Sequence, residues 1–554
     1  MAAISRLSSP TALMRFIMAL YTRSMQNRNL IRRPHILLWF VVRLWVMRRV
    51  ATFISNAFFH PLSRLPGNNV IASSYLPVIA SILFGRAQDL LPFFHKRYGK
   101  VVRVGTDLVS VADKDMIREI LDTIDLPRTE VIHRAFDYEG QQNLFSSRDK
   151  NFHKSRRRYI SPVFSLKHLR SLEPTLLEHT QRLLQKIDEM ISDPNVVKRG
   201  PVLQNGLIDV GYLSVCFSVD SIGELAFGKT FDMVKDGTHE VPELVAKTLK
   251  GCVLNHFAPW LKYVLPPADF SFFDFIYEKI AERNGVNTDG KPDVLHHLLN
   301  AKRKELEKGN GQTGNEYDDM VTGKLTDKAI ATECAVFLAT GSDTTASIMG
   351  YTLLFLAKYP TTLARLQEEL DFVHATNEEG SLPSYTQVRS LPYLNACINE
   401  ALRLHPIVPT GIPRQVKEDM TIGGYFFAKG TVLLANYPQL HWSDEYFPQA
   451  HKFIPERWLP DESPFPPVMD KVFFPFSAGG SNCVGKDFAM MSLRLGLAAL
   501  ALNFNMERAS PAFDNDILEA APGPDEGTCV IRMERRKRTH YITRTDSGTS
   551  MTSI

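Results

Sequence analysis

The stretch that decides the fold is FFPFSAGGSNCVGKDFAMMSLRLG, residues 473–496, which places one cysteine, Cys483, between Gly479 and Gly485. Glycine permits backbone conformations and close approaches that a Cβ atom would block, so this loop allows backbone N–H groups to point at the sulfur. A helical apolar pattern follows the loop. The positive end of that helix lies close to Cys483, which predicts a lowered thiol pKa and a stabilised thiolate.

A cysteine by itself is more often an inert, small apolar residue than a ligand. In this loop, however, Phe476 stands seven residues before Cys483, where its ring can pack over the sulfur. No partner base is signalled, so the pattern does not favour a Cys–His hydrolase. The six cysteines are far apart and form no CxxC pair, which argues against a zinc site or a dense disulfide framework. They are Cys216, Cys252, Cys334, Cys397, Cys483 and Cys529.

The composition is that of a globular protein, since 554 residues with 44% hydrophobic content can bury a large core. The formal charge of +4 is unevenly distributed along the chain. Residues 1–88 contain eleven arginines and no lysine, aspartate or glutamate, so the remainder is net acidic. The basic character therefore belongs to the N-terminus, and no nucleic-acid partner is expected.

That N-terminus reads HILLWFVVRLWVMRRVATFISNAFF over residues 35–59, and we predict a membrane anchor there behind a basic leader, residues 1–34. A central arginine costs about 2.5–3.5 kcal/mol on insertion scales, so spanning is marginal unless Arg48 and Arg49 snorkel to the cytosolic headgroups. The segment can also lie in the interface. An arginine-rich, acid-free leader is equally a mitochondrial signature, and a disordered basic tail is the remaining alternative.

Beyond residue 95 the chain is predicted to be mainly α-helical with a minor β-sheet, as one large domain over residues 60–540 followed by a polar tail, 541–554. Two short strands precede a helix that begins near Asp113, and β-rich sequence with glycine turns returns at 411–434. Long helices are predicted at 165–192, 205–228, 327–358, 361–374, 391–404 and 485–503, and a polar loop at 309–319.

The helical pattern at 327–358 is long enough to cross the whole domain. Thr326 can cap its start and Pro360 ends it, which gives about 31 residues and about 47 Å. Its middle, TGSDTT at 340–345, is poor helix sequence, because glycine weakens the helix and hydroxyl side chains that bond the preceding carbonyls bend it. The apolar flanks favour a functional bend over an exposed polar patch.

A further motif is PYLNACINEALRLHP, in which Glu400 and Arg403 are three residues apart and share one helix face. A surface ion pair of this kind contributes little to stability. Arg457 follows 54 residues after Arg403, within Pro-Glu-Arg-Trp.

Together these motifs resemble the cytochrome P450 family of haem-thiolate monooxygenases. The family's haem-binding loop runs Phe, two residues, Gly, one residue, Arg, one residue, Cys, one residue, Gly. Phe476, Gly479, Cys483 and Gly485 match this loop, as does Ala489 beyond it. The resemblance implies a single haem domain that holds haem b (iron protoporphyrin IX), with Cys483 as the axial ligand of the iron.

The resemblance also assigns roles to the other motifs. In the family, the bend in the long helix admits dioxygen over the iron, and Asp343 and Thr344 match the acid and the threonine that deliver protons. Glu400, Arg403 and Arg457 match the family's structural triad, in which removal of one partner would leave a buried charge unpaired, at a cost of about 3–5 kcal/mol.

For the two haem propionates, the resemblance implies Arg157 and Arg414, with His153 one turn before Arg157 at a place usually held by tryptophan. The neighbouring Arg156 and Arg158 are predicted to be solvated or to face a partner.

Three positions depart from the family pattern. Ser481 replaces the loop arginine, Ser492 replaces a usual glutamate, and Thr340 replaces a small residue before Gly341. The missing arginine removes one charge-assisted contact, so we expect weaker haem retention.

The expected partners are dioxygen, a small lipophilic substrate and a separate NADPH-cytochrome P450 reductase, because no Rossmann fingerprint for flavin or nicotinamide follows a strand. A cationic face is the candidate reductase site, although plain solvation is the alternative reading; it comprises Lys154, Arg156, Arg158 and Lys486. By resemblance, the pocket walls are apolar segments at 125–148, 222–258, 336–344, 407–412 and 523–528.

The sequence looks similar to fungal membrane-bound members that oxidise terpenoids, polyketides or other secondary metabolites. We therefore expect an endoplasmic-reticulum membrane protein with a cytosolic catalytic domain, the mitochondrial location being the alternative. Two hypotheses follow: a monooxygenase that acts on a lipophilic metabolite, or a haem-binding relative with altered or lost oxygen activation, such as a rearrangement catalyst or a non-enzymatic haem protein. The retention of Asp343 and Thr344 argues against the second.

Overall fold

The structure of the chain is a computed structural model. It describes residues 34–75, 77–78, 81, 87–138, 140–193, 206–236, 241, 243–245, 247–248, 271–284, 293–305, 307, 324–375, 377–378, 381–467, 470–509 and 529–537. The leader up to residue 33, the polar loop 309–319, the wall segment 523–528, part of the wall segment 222–258, and the tail 541–554 lie outside these residues.

Helices dominate the described part of the chain, as predicted. In chain order they are α1 Pro34–Ile54, α2 Ala87–Tyr98, α3 Lys114–Arg118, α4 Glu130–His133, α5 Lys150–Ile160, α6 Leu166–Ser192, α7 Val210–Phe227, α8 Met233–Asp236, α9 Ser271–Asn284, α10 Val294–Glu305, α11 Asp327–Lys358, α12 Pro360–His374, α13 Tyr385–Val388, α14 Pro392–Leu404, α15 Tyr437–His441 and α16 Lys486–Asn503.

Within the described residues, nine short strands form the minor β component. They are β1 Val101–Arg103, β2 Leu108–Val111, β3 Leu207–Asp209, β4 Ile412–Gln415, β5 Met420–Ile422, β6 Tyr425–Phe427, β7 Val432–Ala435, β8 Phe504–Arg508 and β9 Val530–Arg535. One sheet has the order β1-β2-β7-β4, in which only the β2–β7 pair is parallel. A second, antiparallel sheet has the order β3-β9-β8, and β5 and β6 form a hairpin.

The long helix α11 runs through the core and organises the helical layer. Thr326 caps it by accepting a hydrogen bond from the Ala329 N–H at 3.1 Å, and the helix stops at Lys358, before Pro360. The hydroxyls of Thr340 and Thr344 donate to the carbonyl oxygens four residues earlier, each at 2.7 Å. The predicted helix and its bonded hydroxyls are confirmed. Its helical hydrogen bonding is unbroken across 340–345, and the bend stays a prediction.

The predicted anchor segment is helical from Pro34 to Ile54 and continues as a π turn through Phe59. Several of its large apolar side chains are exposed: Trp39, Val42, Trp45, Val46, Met47, Val50, Phe53, Ile54, Phe58 and Phe59. Arg103 of β1 donates to the Asn56 carbonyl at 2.9 Å, which ties the end of this segment to the domain. Among the described helices, only α7 has the length and composition to cross a membrane, and 89% of it is buried inside the protein.

Candidate active site

The loop that carries Cys483 is held in one shape by its backbone. The Cys483 N–H donates to the Phe476 carbonyl at 3.0 Å, which closes the loop. Gly479 has a φ of +71°, and a Cβ atom there would overlap the Leu121 carbonyl oxygen, so only glycine fits. Gly485 has an ordinary φ of −83°, and a Cβ atom built on it would stand 4.0 Å from the Cys483 sulfur.

Cys483 is the exposed cysteine among the five in the described residues, and the other four are buried. The backbone N–H groups of Gly485 and Lys486 point at its sulfur, as the sequence predicted. The predicted lowering of the thiol pKa is wrong. Burial raises the pKa of Cys483, and this effect outweighs the opposing N–H groups and the nearby Arg157. Cys483 is therefore accessible while protein atoms crowd around its sulfur.

One face of α11 opens toward a cleft in the same way. Thr340 and Asp343 are exposed and Thr344 is half-buried, although this helix is buried before and after them. Burial raises the pKa of the Asp343 carboxyl above its ordinary value even though its surface is accessible. Because both Asp343 and Cys483 combine accessibility with desolvation, we place both in concave parts of the surface.

Phe164 links the cysteine loop to this helix. A Cβ atom on Gly485 would lie 3.7 Å from the Phe164 ring. That ring lies beside the Phe337 ring of α11, with a centroid separation of 5.7 Å. Phe337 is three residues before Thr340, so the two halves of the candidate site are one aromatic contact apart.

The residues of the predicted triad meet inside the protein. Glu400 accepts from Arg403 at 2.8 and 2.9 Å and from the Arg457 Nε at 3.0 Å. The Trp458 indole and the Ile454 N–H also donate to this carboxylate, at 2.9 and 3.0 Å. All three charged side chains are at most 1% exposed.

Arg403 extends the hydrogen-bond network to the segment 441–452, which precedes Arg457. Its guanidinium donates to the carbonyl oxygens of His441 and Ala450, at 2.7 and 2.6 Å, and to that of Lys452 at 3.1 Å. Arg457 donates to the Pro448 carbonyl at 3.1 Å. The network therefore fastens α14 to residues 441–457, as the motif predicted.

A group of three cations, of which Arg414 is buried and Arg128 and Arg157 are half-buried, lies beside the cysteine loop. The Gln415 N–H donates to the Pro127 carbonyl at 2.9 Å, which brings Arg128 next to Arg414 of β4. Arg157 of α5 lies close enough to repel Arg128. Burial, and then repulsion from Arg414 and Arg157, lowers the pKa of Arg128 to about 9, and burial lowers that of Arg414 to about 10. Asp125 is a nearby carboxylate that opposes both shifts, and further anionic partners would stabilise the three arginines.

A family model described as cytochrome P450 matches residues 74–521 of the chain. The chain belongs to the cytochrome P450 family. It is accordingly a haem-thiolate monooxygenase, and the family implies a haem cofactor, dioxygen, a lipophilic substrate and a redox-partner reductase.

Fungal P450 monooxygenases are similar along most of the chain. The cytochrome P450 monooxygenase acrD of Aspergillus aculeatus is 29% identical over 90% of this chain and 94% of its own length. The cytochrome P450 monooxygenase LUC2 of a Fusarium species is 28% identical over the same shares. The trichothecene C-15 hydroxylase of Fusarium sporotrichioides is 26% identical over 82% of this chain and 89% of its own length.

The residues of this P450 fit a haem at the cation group. Haem carries two carboxylates, which match the excess of positive charge at Arg128, Arg157 and Arg414. The Arg414 Nε is buried and has no hydrogen-bond partner within the described part of the chain. Burial and then the three arginines lower the pKa of His153 to about 3, so its ring is neutral and donates one hydrogen bond only.

Arg157 has a role in the P450 loop that its motif did not indicate. It donates to the carbonyl oxygens of Gly480 and Asn482, at 3.1 and 2.9 Å. It thereby fixes the turn in which Ser481 replaces arginine. Arg128 was missed by the sequence analysis, because nothing in its spacing distinguishes it from Arg134 and Arg148 in the same loop.

The prediction that Arg156 is solvated is wrong. It is 1% exposed, its Nε lies 3.6 Å from the Glu333 carboxylate, and it donates to the Lys324 carbonyl at 3.0 Å. Its position one residue before Arg157 rotates its side chain by about 100° around the axis of α5, toward Glu333 of α11. Arg158, by contrast, is exposed as predicted.

The substitution at Ser492 leaves a small polar group in the core. This residue is 1% exposed, and its hydroxyl has no hydrogen-bond partner within the described residues. Nothing in the structure explains why serine stands there.

Proposed function

We propose that this P450 is a membrane-bound monooxygenase that inserts one oxygen atom into a lipophilic secondary metabolite, such as a terpenoid or a polyketide, with electrons from a separate NADPH-dependent reductase. The observation that carries the proposal is the accessible sulfur of Cys483 on a loop whose N–H groups point at it. The family membership and the names of the fungal relatives support the same reaction.

In this proposal, the cofactor would be haem b, and the Cys483 sulfur would hold its iron. Phe476, Gly479 and Gly485 shape the loop, while His153, Arg128, Arg157 and Arg414 receive the propionates. The haem, when bound, supplies the oxygen activation and the oxidising power. The protein would supply the Cys483 sulfur as the ligand of the iron, a desolvated site around it and the timing of proton delivery.

Proton delivery is proposed for Asp343 and Thr344. Burial raises the pKa of the Asp343 carboxyl, which moves its protonation toward the pH at which the enzyme works. The Thr344 hydroxyl donates a hydrogen bond to the Thr340 carbonyl at 2.7 Å. If the hydroxyl rotates away from that carbonyl, its oxygen can accept a proton from one side and its own hydrogen can be donated toward the active site.

The membrane contact is proposed for α1 and the turn after it. Trp39 and Phe59 are 72% and 79% exposed, which is costly in water and favourable in the interfacial region of a bilayer. An endoplasmic-reticulum location with the catalytic domain in the cytosol fits such a segment, and a mitochondrial location is the alternative.

The face proposed to bind the reductase keeps three exposed basic residues: Lys154, Arg158 and Lys486.

A panel assay tests the proposed function. Reduced protein with carbon monoxide should give the red-shifted absorbance of thiolate-ligated haem, and a fungal reductase with NADPH should then convert one or more lipophilic terpenoids or polyketides, read by mass spectrometry. A normal carbon-monoxide spectrum without any turnover across the panel would favour the haem-binding relative with altered oxygen activation.

Replacement of Asp343 by asparagine, or of Thr344 by alanine, is expected to lower product formation per NADPH consumed by about tenfold to a hundredfold, because each change removes a proton-transfer group. The measurement is the ratio of product to NADPH and to peroxide released. Asp343→Glu is the matched control and should retain most of the coupling. Unchanged coupling in both variants would contradict the assigned roles.

Restoration of the family arginine in Ser481→Arg is expected to slow haem loss by about tenfold, because it adds a charge-assisted hydrogen bond to a propionate. Haem transfer to an excess of apomyoglobin measures the rate. Ser481→Gln supplies a similar bulk without the charge and should leave the rate near that of the wild type. Equal rates in all three proteins would show that Ser481 does not limit haem retention.

A further inference from the structure

Glu333 is a buried carboxylate of α11 that bonds a loop rather than a ligand. It is 0% exposed, and both of its oxygens accept from the Leu144 N–H, at 2.9 and 3.1 Å. Arg156 of α5 lies 3.6 Å away on the opposite element. Burial raises the pKa of Glu333 to about 7, and Arg156 is the largest opposing influence. Burying such a pair is costly, so it requires a reason beyond stability.

The loop that Glu333 bonds, residues 136–148, which the structure describes except at residue 139, has many hydrogen bonds within itself, and its Tyr138 ring also stacks on the Phe273 ring of α9. Asn143 accepts from the N–H groups of Phe145 and Ser146, at 3.0 and 2.8 Å, and donates to the Phe136 carbonyl at 2.9 Å. Arg148 closes the ends through Asp137, at 2.7 and 2.9 Å. These internal bonds make the loop compact, in the manner of an Ω-loop.

This unit borders both sides of the candidate active site. The Phe145 ring lies against Phe136 and His133, with centroid separations of 5.0 and 5.6 Å. Burial lowers the pKa of His133 to about 3, and the nearby positive charges of Arg128 and Arg414 add to this effect. Glu333 itself is one helical turn from the half-buried Val336, which leads to the open face at Thr340.

We infer that Glu333 is a positioning residue that holds the 136–148 loop against α11 and thereby fixes the wall of the substrate cleft. The carboxylate holds the loop through the hydrogen bond that it accepts from the Leu144 N–H, and the positive charge of Arg156, 3.6 Å away on α5, favours the ionised form of that carboxylate. The inference concerns the geometry of the cleft and holds whichever lipophile the enzyme oxidises.

Hydrogen exchange of the full-length haem protein tests the inference. In Glu333→Gln and in Glu333→Leu, the backbone amides of 143–147 should exchange about 10- to 100-fold faster than in the wild type, because a hydrogen bond to a buried charge is lost. Glutamine keeps the size of the side chain and one acceptor oxygen, so we expect the smaller increase in exchange rate in Glu333→Gln. The haem absorbance per protein should be unchanged, which shows that the fold is intact.

Asp220 offers a matched control, because it too is a buried carboxylate that accepts from two backbone N–H groups, those of Met233 and Val234, each at 2.9 Å. Asp220→Asn should speed exchange in α8 and leave 143–147 unchanged. Unchanged exchange at 143–147 in both Glu333 variants would overturn the inference. Equal acceleration of 143–147 and α8 in those variants would also overturn it, because Glu333 would then be a general stabilising residue.

Ligand spectra provide a readout that a purely structural role would not move. Imidazole and the larger 4-phenylimidazole both bind haem iron and shift its absorbance, but only the larger ligand reaches the cleft wall. Glu333→Gln should change the dissociation constant of 4-phenylimidazole about fivefold or more and leave that of imidazole within twofold. Parallel changes for both ligands, or no change for either, would contradict a role in fixing the wall.

Discussion

Replacement of Cys483 by serine is expected to abolish the red-shifted carbon-monoxide band and to reduce product formation at least about a hundredfold. A serine oxygen is a weaker electron donor than a thiolate and is protonated at neutral pH, so the electronic contribution to O–O cleavage is lost. The measurements are the carbon-monoxide difference spectrum, haem content per protein and turnover with reductase.

Cys334→Ala is the matched control for that substitution. Cys334 lies in α11 and is 0% exposed, in contrast to the accessible Cys483. This variant should keep the spectrum and lose only the modest stability that a smaller core side chain costs. An unchanged band in Cys483→Ser, with normal haem content, would refute the assignment of the axial ligand and with it the haem-thiolate mechanism.

Removal of the Glu400 carboxylate is expected to have the largest effect on stability. Glu400→Leu would leave Arg403 and Arg457 buried without their anion and would orphan the Trp458 indole and the Ile454 N–H. Breaking a buried ion pair from one side costs about 3–5 kcal/mol, which is a large share of the stability of an ordinary domain. We expect little folded haem protein, and a lowered urea midpoint in whatever folds.

An exposed ion pair provides the comparison. Arg134 and Glu130 are four residues apart on one helix turn and lie 3.2 Å from each other, with side chains 62% and 58% exposed. Glu130→Gln should change the free energy of unfolding by less than about 1 kcal/mol. If Glu400→Leu cost no more than Glu130→Gln, the triad would not be the structural lock that its geometry indicates.

Local patterns predicted much of the fold. The helix patterns at 165–192, 327–358 and 361–374 correspond to α6, α11 and α12 within one residue at each end. The helix ends were predictable because capping residues and a proline mark them. Ser165 and Thr326 accept hydrogen bonds from N–H groups in the first turns of α6 and α11, and Pro360 has no N–H group with which to continue α11. The pattern at 205–228 began too early, since β3 occupies Leu207–Asp209 before α7.

Site residues were predictable where a motif fixes their spacing. Glu400, Arg403 and Arg457 follow such a motif, and the structure brings them together. The roles proposed for Cys483, Asp343 and Thr344 stay predictions, although the structure leaves Cys483 and Asp343 exposed and Thr344 half-buried. Arg128 and Glu333 follow no motif, because the residues that they meet lie hundreds of positions away or on another loop.

The sequence by itself determined the helical class, the cysteine loop and the triad, because each depends on periodicity, capping or spacing within a short segment. Only the tertiary structure decided the direction in which the pKa of Cys483 shifts, the burial of Arg156 and the partner of Glu333. These properties depend on how much protein surrounds a charge and on which distant charges face it. Desolvation and electrostatic interaction act through space, and one-dimensional order does not specify them.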